Sequence, residues 1–296
     1  MSVLSNTRIL VKSRIEAIFA WPWGTLIACL MAGKGFPPIT NTFLAVFSTL
    51  FITASVYIYN DYIDIEMDQL NFLKKNRPLV TGEVPVGFAV RFVAVTAFLG
   101  LGLAYLINLN AFIWSLVYFV LFFVYSYPAI RLKKMYVVKE LVITSVIPLS
   151  TLIGSYAVLG EFSFPIFYAG MTMGVFFFLM LPALNESFDV DEDKLYGVKT
   201  LAQTLSWRFR TNMIVLGIAL TIVMTSAATV WFDFSVALPL VTLAASVLLL
   251  RVLATIWESF DRDVAHGTRI KFQLYFFAIQ IMFVLGSMNL PFLNFF

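Results

Sequence analysis

Four acidic side chains fall within the nine positions Asn60-Asp61-Tyr62-Ile63-Asp64-Ile65-Glu66-Met67-Asp68, directly after an apolar run long enough to cross a bilayer. A second stretch, Asn185-Glu186-Ser187-Phe188-Asp189-Val190-Asp191-Glu192-Asp193, repeats the pattern at the end of another such run. Both fit N-[DE]-x-x-D-x-[DE]-x-D. Asn60, Asp64 and Asp68 are spaced by four, as are Asn185, Asp189 and Asp193, so on a helix each set makes one polar ridge. Carboxylates without histidine or cysteine beside them favour hard cations, and paired carboxylates with substrate phosphate are the usual way a protein holds Mg²⁺. The implied ligand is a diphosphate. Facing ridges would each hold one ion, with Asp64, Asp68, Asp189 and Asp193 as ligands that also serve catalysis. The ions would bridge diphosphate oxygens and neutralise the charge that develops as a C–O bond breaks. Asn60 and Asn185 add amide oxygens or orient the carboxylates.

Basic residues near the motifs suit the same ligand. Arg77 lies in Lys75-Asn76-Arg77-Pro78-Leu79, and Arg131 and Lys133 lie in Tyr125-Ser126-Tyr127-Pro128-Ala129-Ile130-Arg131-Leu132-Lys133. Arginine offers a fork to phosphate and lysine a point charge. The rest of such a site would be apolar and rich in Phe, Tyr and Trp, whose ring faces stabilise a carbocation and keep water from it. Ionisation of an allylic diphosphate, followed by attack of an electron-rich acceptor, is the chemistry these residues suggest.

The elements that must position them are membrane spans. The chain has 296 residues, 60% of them hydrophobic and only 12% charged, with a mean hydropathy of +0.89. That excludes an ordinary soluble domain, in which about a quarter of residues are charged. Long, non-alternating apolar runs argue for helices rather than a β-barrel. Nine are expected, near 15–32, 41–60, 86–107, 111–127, 138–158, 165–184, 212–231, 234–256 and 272–290. Inner loops 61–85, 128–137, 185–211 and 257–271 can form a cap over one end. Every Lys and Arg except Lys34 falls on that side, which by the positive-inside rule is cytoplasmic, with the N-terminus there and the C-terminus outside. The net charge of +3 reflects basic loops against anionic lipid; no nucleic-acid motif is present. One cysteine, Cys29, and one histidine, His266, leave no disulfide framework and no His/Cys metal site. The run after the polar N-terminus carries Trp21-Pro22-Trp23 and no cleavage pattern, so it reads as a retained helix.

The motifs lie 125 positions apart, so helices 2–5 and 6–9 read as two copies of a four-helix unit with helix 1 outside the repeat. The expected fold is all-α, a polytopic bundle with a cytoplasmic cap.

Together these residues resemble the UbiA family of intramembrane prenyltransferases. Its motif NDxxDxxxD is matched by Asn60, Asp61, Asp64 and Asp68, and its Asp-rich run leading into G-x-x-T-L is similar to Asp189, Asp193, Gly197, Thr200 and Leu201. The NRPL element at Asn76–Leu79 with Gly82 and the YSYPxxRLK element at Tyr125–Lys133 also look like family features. The resemblance implies one transmembrane prenyltransferase domain over 1–296, with a lateral opening to lipid. It implies Mg²⁺-dependent transfer from a polyprenyl diphosphate to a lipophilic acceptor. It adds Asp61 to the metal ligands, brings Tyr127 and Tyr196 in as substrate-binding residues through their places in the motifs, and gives Arg77, Arg131 and Lys133 the same binding role. Lys133 and Arg77 are also counted as catalytic. An aromatic quinone precursor is the first acceptor to consider. A glyceryl-phosphate lipid of the geranylgeranylglyceryl phosphate type and a tetrapyrrole are alternatives. The rival class is a cation-coupled secondary transporter, against which the charges sit at one face rather than the midplane. The D-x-x-D-G-x-x-A-R pattern of phosphatidyl transfer is absent.

Overall fold

The computed structural model describes residues 2–71, 74–195, 197–288 and 290, and among these every regular element is helical. A short helix α1 (Val3–Ser13) precedes the bundle, started by Ser2, whose side chain accepts from the Ser5 N–H. Among the described residues nine helices are long and apolar enough to cross a membrane: α2 (Ile15–Ala32), α3 (Ile39–Ile63), α5 (Val86–Ile107), α6 (Leu109–Ser126), α7 (Val138–Leu159), α8 (Phe164–Leu184), α11 (Trp207–Phe232), α12 (Ala237–Ala254) and α13 (Arg262–Ser287). Three short helices, α4 (Ile65–Leu70), α9 (Val190–Leu195) and α10 (Leu201–Thr204), lie in the connections after α3 and α8.

The expected repeat is visible in the packing. α3 contacts α5, α5 contacts α6, α6 contacts α7, and α7 returns to α3; α8, α11, α12 and α13 make the same circuit. α7 and α8 join the two units, and α2 packs on α3, α7, α8 and α13. Between helices in lipid there is no hydrophobic drive, so close backbone approach through small residues does the work. Gly154 on α7 is such a point. A Cβ there would lie 2.5 Å from the Ala28 Cβ and 3.0 Å from both the Cys29 nitrogen and the Thr25 oxygen of α2. Gly154→Val is therefore expected to push these helices apart and cost about 1–3 kcal/mol, seen as a lowered Tm in detergent; an unchanged Tm would mean that α2 is not seated as described.

The largest departure from the expected spans is the last. It begins at Arg262 rather than near 272, because the Asp261 side chain accepts from the Asp263 and Val264 N–H groups and starts the helix through polar residues. His266, read as a loop histidine, is on this helix.

Candidate active site

Both motifs sit where a long helix gives way to a short one. α3 ends at Ile63 and α4 begins at Ile65, yet the Asp64 N–H still reaches the Asn60 oxygen at 3.0 Å and the Asp68 N–H the Asp64 oxygen at 2.8 Å. The four-residue ridge thus survives the junction. In the second motif a 3₁₀ turn at Glu186–Phe188 intervenes, with the Asp189 N–H on the Glu186 oxygen, before the Asp193 N–H returns to the Asp189 oxygen at 2.8 Å.

Both ridges open on one cavity of about 370 Å³ at the same end of the bundle. Asn60, Asp64 and Asp68 line it from one side, with Asn185, Glu186, Asp189 and Asp193 from the other. Its apolar part is made by Trp21, Val56, Tyr57, Phe122, Tyr125, Ile143, Phe177 and Leu181. The Trp21 indole N–H donates to the Tyr57 hydroxyl at 2.8 Å. Trp21 is therefore part of the chamber.

Each carboxylate is matched to a cation. Lys133 donates to both oxygens of Asp64, and Arg131 stands 3.3 Å from the same group. Arg77 bridges Asp61, at 3.0 Å, and Asp68. Lys139 lies 2.8 Å from Asp193 and 3.5 Å from Glu186, and Lys74 lies 3.5 Å from Asp189. Asn60 donates to Asp64 at 3.0 Å and to the Ser126 hydroxyl at 2.9 Å. Burial pushes the Asp68 carboxyl up to about 6 while Arg77 pulls the other way. Burial likewise lowers the Lys133 ammonium, with Asp64 opposing it.

Lys133 and Lys139 come from one short segment, and its backbone is unusual on both flanks. Arg131 has φ 50° and Val137 φ 65°. A β-branched residue at positive φ is a real outlier and persists where its surroundings hold it. The segment lies between the two ridges and gives a lysine to each.

Three of the expected residues stand apart from the cavity lining. Asp61 is buried and paired with Arg14 and Arg77. Tyr127 is turned away, 41% exposed and stacked on Phe123, because α6 ends at Ser126 and Tyr127 is its extended cap residue. Its neighbours Tyr125 and Ser126 face the chamber instead. Arg131 is not among the lining residues either and touches the site through Asp64 and the Met67 sulfur. Tyr196 lies outside the described residues. Arg14, Lys74 and Lys139 belong to the site but lie outside the acidic motifs. For Lys139 the usable signal was its place six residues beyond Lys133.

Among the described residues no three acidic, histidine or cysteine side chains converge as a ready chelate. The donor set nonetheless fits a hard divalent cation, being all oxygen, and the Asn185 amide oxygen is buried without a hydrogen-bond partner. Asn60, Asp64 and Asp68 on one side, and Asn185, Asp189 and Asp193 on the other, are the residues that could hold such a cation.

Membrane-length helices, nine among the described residues, around a carboxylate-lined chamber define a membrane-embedded enzyme. The chain belongs to the UbiA prenyltransferase family, whose model matches residues 22–281. It is similar to the digeranylgeranylglyceryl phosphate synthase of Sulfolobus acidocaldarius, 31% identical over 256 residues that cover 84% of this chain and 86% of that one. The homologue from Sulfurisphaera tokodaii, of the same name, is 30% identical over 246 residues, covering 83% and 85%. Among solved structures, a UbiA homolog from Archaeoglobus fulgidus bound to GPP and Mg²⁺ superimposes with a TM-score of 0.69 at 19% identity, covering 94% of this chain and 99% of that chain. The protein is thus a prenyltransferase, and the transporter reading falls away.

Proposed function

We propose that the enzyme joins a geranylgeranyl-type chain, from its allylic diphosphate, to the free hydroxyl of a glyceryl-phosphate ether lipid. The observation that supports this acceptor is the similarity to digeranylgeranylglyceryl phosphate synthases over more than four-fifths of the chain. It displaces the aromatic quinone precursor that the sequence had put first. The charge balance agrees. Five cationic side chains (Arg14, Lys74, Arg77, Lys133 and Lys139) face five carboxylates (Asp64, Asp68, Glu186, Asp189 and Asp193) in the cavity. The chamber is near neutral, so two divalent ions would suit a diphosphate and leave some positive charge for an anionic acceptor.

Bound Mg²⁺ would supply Lewis-acid stabilisation of the leaving diphosphate. The side chains do the rest. Lys133 and Lys139 offer cations to the departing oxygens from opposite sides. The aromatic wall of Tyr57, Phe122, Tyr125 and Phe177 shields the allylic carbon from water. The C1–O bond breaks with its electron pair leaving on diphosphate, the acceptor oxygen bonds to C1, and the hydroxyl proton passes to a diphosphate oxygen.

The test is incubation of purified protein with labelled geranylgeranyl diphosphate and a panel of acceptors. Product is expected only with the glyceryl phosphate and only with Mg²⁺; EDTA is expected to stop it and added Mg²⁺ to restore it. Product on a phenolic acid alone would overturn the acceptor. The positive-inside asymmetry supports placing the cavity and N-terminus in the cytoplasm. Labelling of Lys34→Cys from the outside only would agree with that orientation.

A further inference from the structure

A second cavity, of about 550 Å³, lies beside the first between α2, α13, α7 and α8. The two share a wall of Arg14, Trp21, Phe177 and Asn185. Along α13 the lining residues Arg269, Gln273, Phe276 and Gln280 are spaced by three or four, so one helix face presents them all. Arg269 to Gln280 covers ~16 Å of helix axis. Facing them, α2 offers Ala17, Ala20 and Gly24, which leave the space open. Gln280 accepts from the Trp23 indole N–H at 2.9 Å, whereas an ionisable group such as Arg269, turned into a cavity among membrane helices, is costly and marks a polar ligand's place.

One end of this cavity is cationic, with Lys12, Arg14 and Arg269 against the single carboxylate Glu16. Arg14 is committed to Asp61. Arg269 is held differently. Its guanidinium lies over the Phe188 ring, 5.4 Å from the centroid, its Nη2 is 3.4 Å from His266 Nδ1, and its Nε is buried with no hydrogen-bond partner. Phe188 adjoins Asp189 in the second acidic motif, so this arginine is fixed next to the diphosphate side of the site.

The geometry points to this cavity as the acceptor's chamber, with Arg269 holding the acceptor's phosphate monoester, its reacting hydroxyl at the shared wall, and its apolar chain against Ile147, Met180, Phe276 and Phe277. A guanidinium fork is the natural partner of a phosphate, and a stacked one loses little freedom on binding it. The inference rests on the acceptor reading above. Two cavities meeting at Arg14 and Asn185 let donor and acceptor enter separately and react where the wall is shared.

The experiment is steady-state kinetics of Arg269→Gln with Mg²⁺, geranylgeranyl diphosphate, and either geranylgeranylglyceryl phosphate or its dephosphorylated alcohol. Loss of a charge-assisted contact predicts a rise of roughly tenfold to a hundredfold in the KM for the phosphate. The donor KM is expected to stay as in the wild type, and the alcohol to be used equally poorly by both enzymes. Ala20→Phe, which fills the tail end without touching a charge, is expected to raise the acceptor KM as well and serves if Arg269→Gln does not fold. An unchanged acceptor KM in both variants, or a donor KM that rises in step, overturns the assignment. So does loss from Arg269→Gln of a co-purifying bilayer phospholipid with no change in acceptor KM, since the cavity is then a lipid's seat. If the wild type instead uses only a phenol, the acceptor reading fails, and Ala20→Phe assayed on that phenol decides the chamber alone.

Discussion

Asp64→Asn and Asp189→Asn are each expected to abolish prenyl transfer, with losses of about 10³-fold or more, because each removes an anionic ligand from one ridge at the point where leaving-group charge must be neutralised. Asparagine is the informative choice at position 64. Asp64 is buried and paired with Lys133, itself 7% exposed, so alanine would also strand a buried ammonium, a change that costs about 3–5 kcal/mol in such pairs. Asp189 is half-buried and its partner Lys74 is more accessible, so alanine and asparagine should behave alike there. Product formation measured beside the circular dichroism melt separates loss of chemistry from loss of fold. Full activity in a folded Asp64→Asn or Asp189→Asn protein would remove that ridge from the mechanism.

The second large effect is expected at the two lysines between the ridges. Lys133→Met and Lys139→Met should each lower kcat by roughly 10²–10³-fold, the scale of losing one group that stabilises developing negative charge. Methionine keeps the apolar stem and takes away only the ammonium. Arg131→Gln is the control. Arg131 contacts Asp64 at 3.3 Å from outside the cavity, and Lys133 still holds both Asp64 oxygens without it, so its loss should be the mildest of the three. If all three substitutions were equally mild, these cations would be anchors to lipid headgroups and not part of the site.

Much of this was legible from the chain alone, and the reasons differ by residue. The spans were readable because crossing hydrocarbon demands about twenty apolar residues in a row, a signal that needs no tertiary information. The two ridges were readable because helical spacing puts every fourth residue on one side, and the junctions after Ile63 and Leu184 left both motifs facing one cavity. The Asp61 pairing was not legible, because its carboxylate turns to Arg14, a residue 47 positions away that no local pattern links to it. The direction of Tyr127 depends on where α6 ends, at Ser126, which spacing alone does not fix. Lys139 looked like one more inward-facing positive charge, since composition cannot tell a cation at the lipid surface from one that a strained turn at Val137 carries to Asp193.

That first turn of α7 holds more than a lysine. Lys139 reaches Asp193, and the next residue, Glu140, is fully buried and accepts the Leu201 N–H at 3.0 Å. The stretch between Asp193 and Leu201 is thereby tied at both its ends to two consecutive residues of one helix. Such a tether sets stiffness: displacing Asp193 or Leu201 strains the same α7 origin that positions Lys139. Glu140, itself outside the cavity lining, thereby bears on where Asp193 and Lys139 stand.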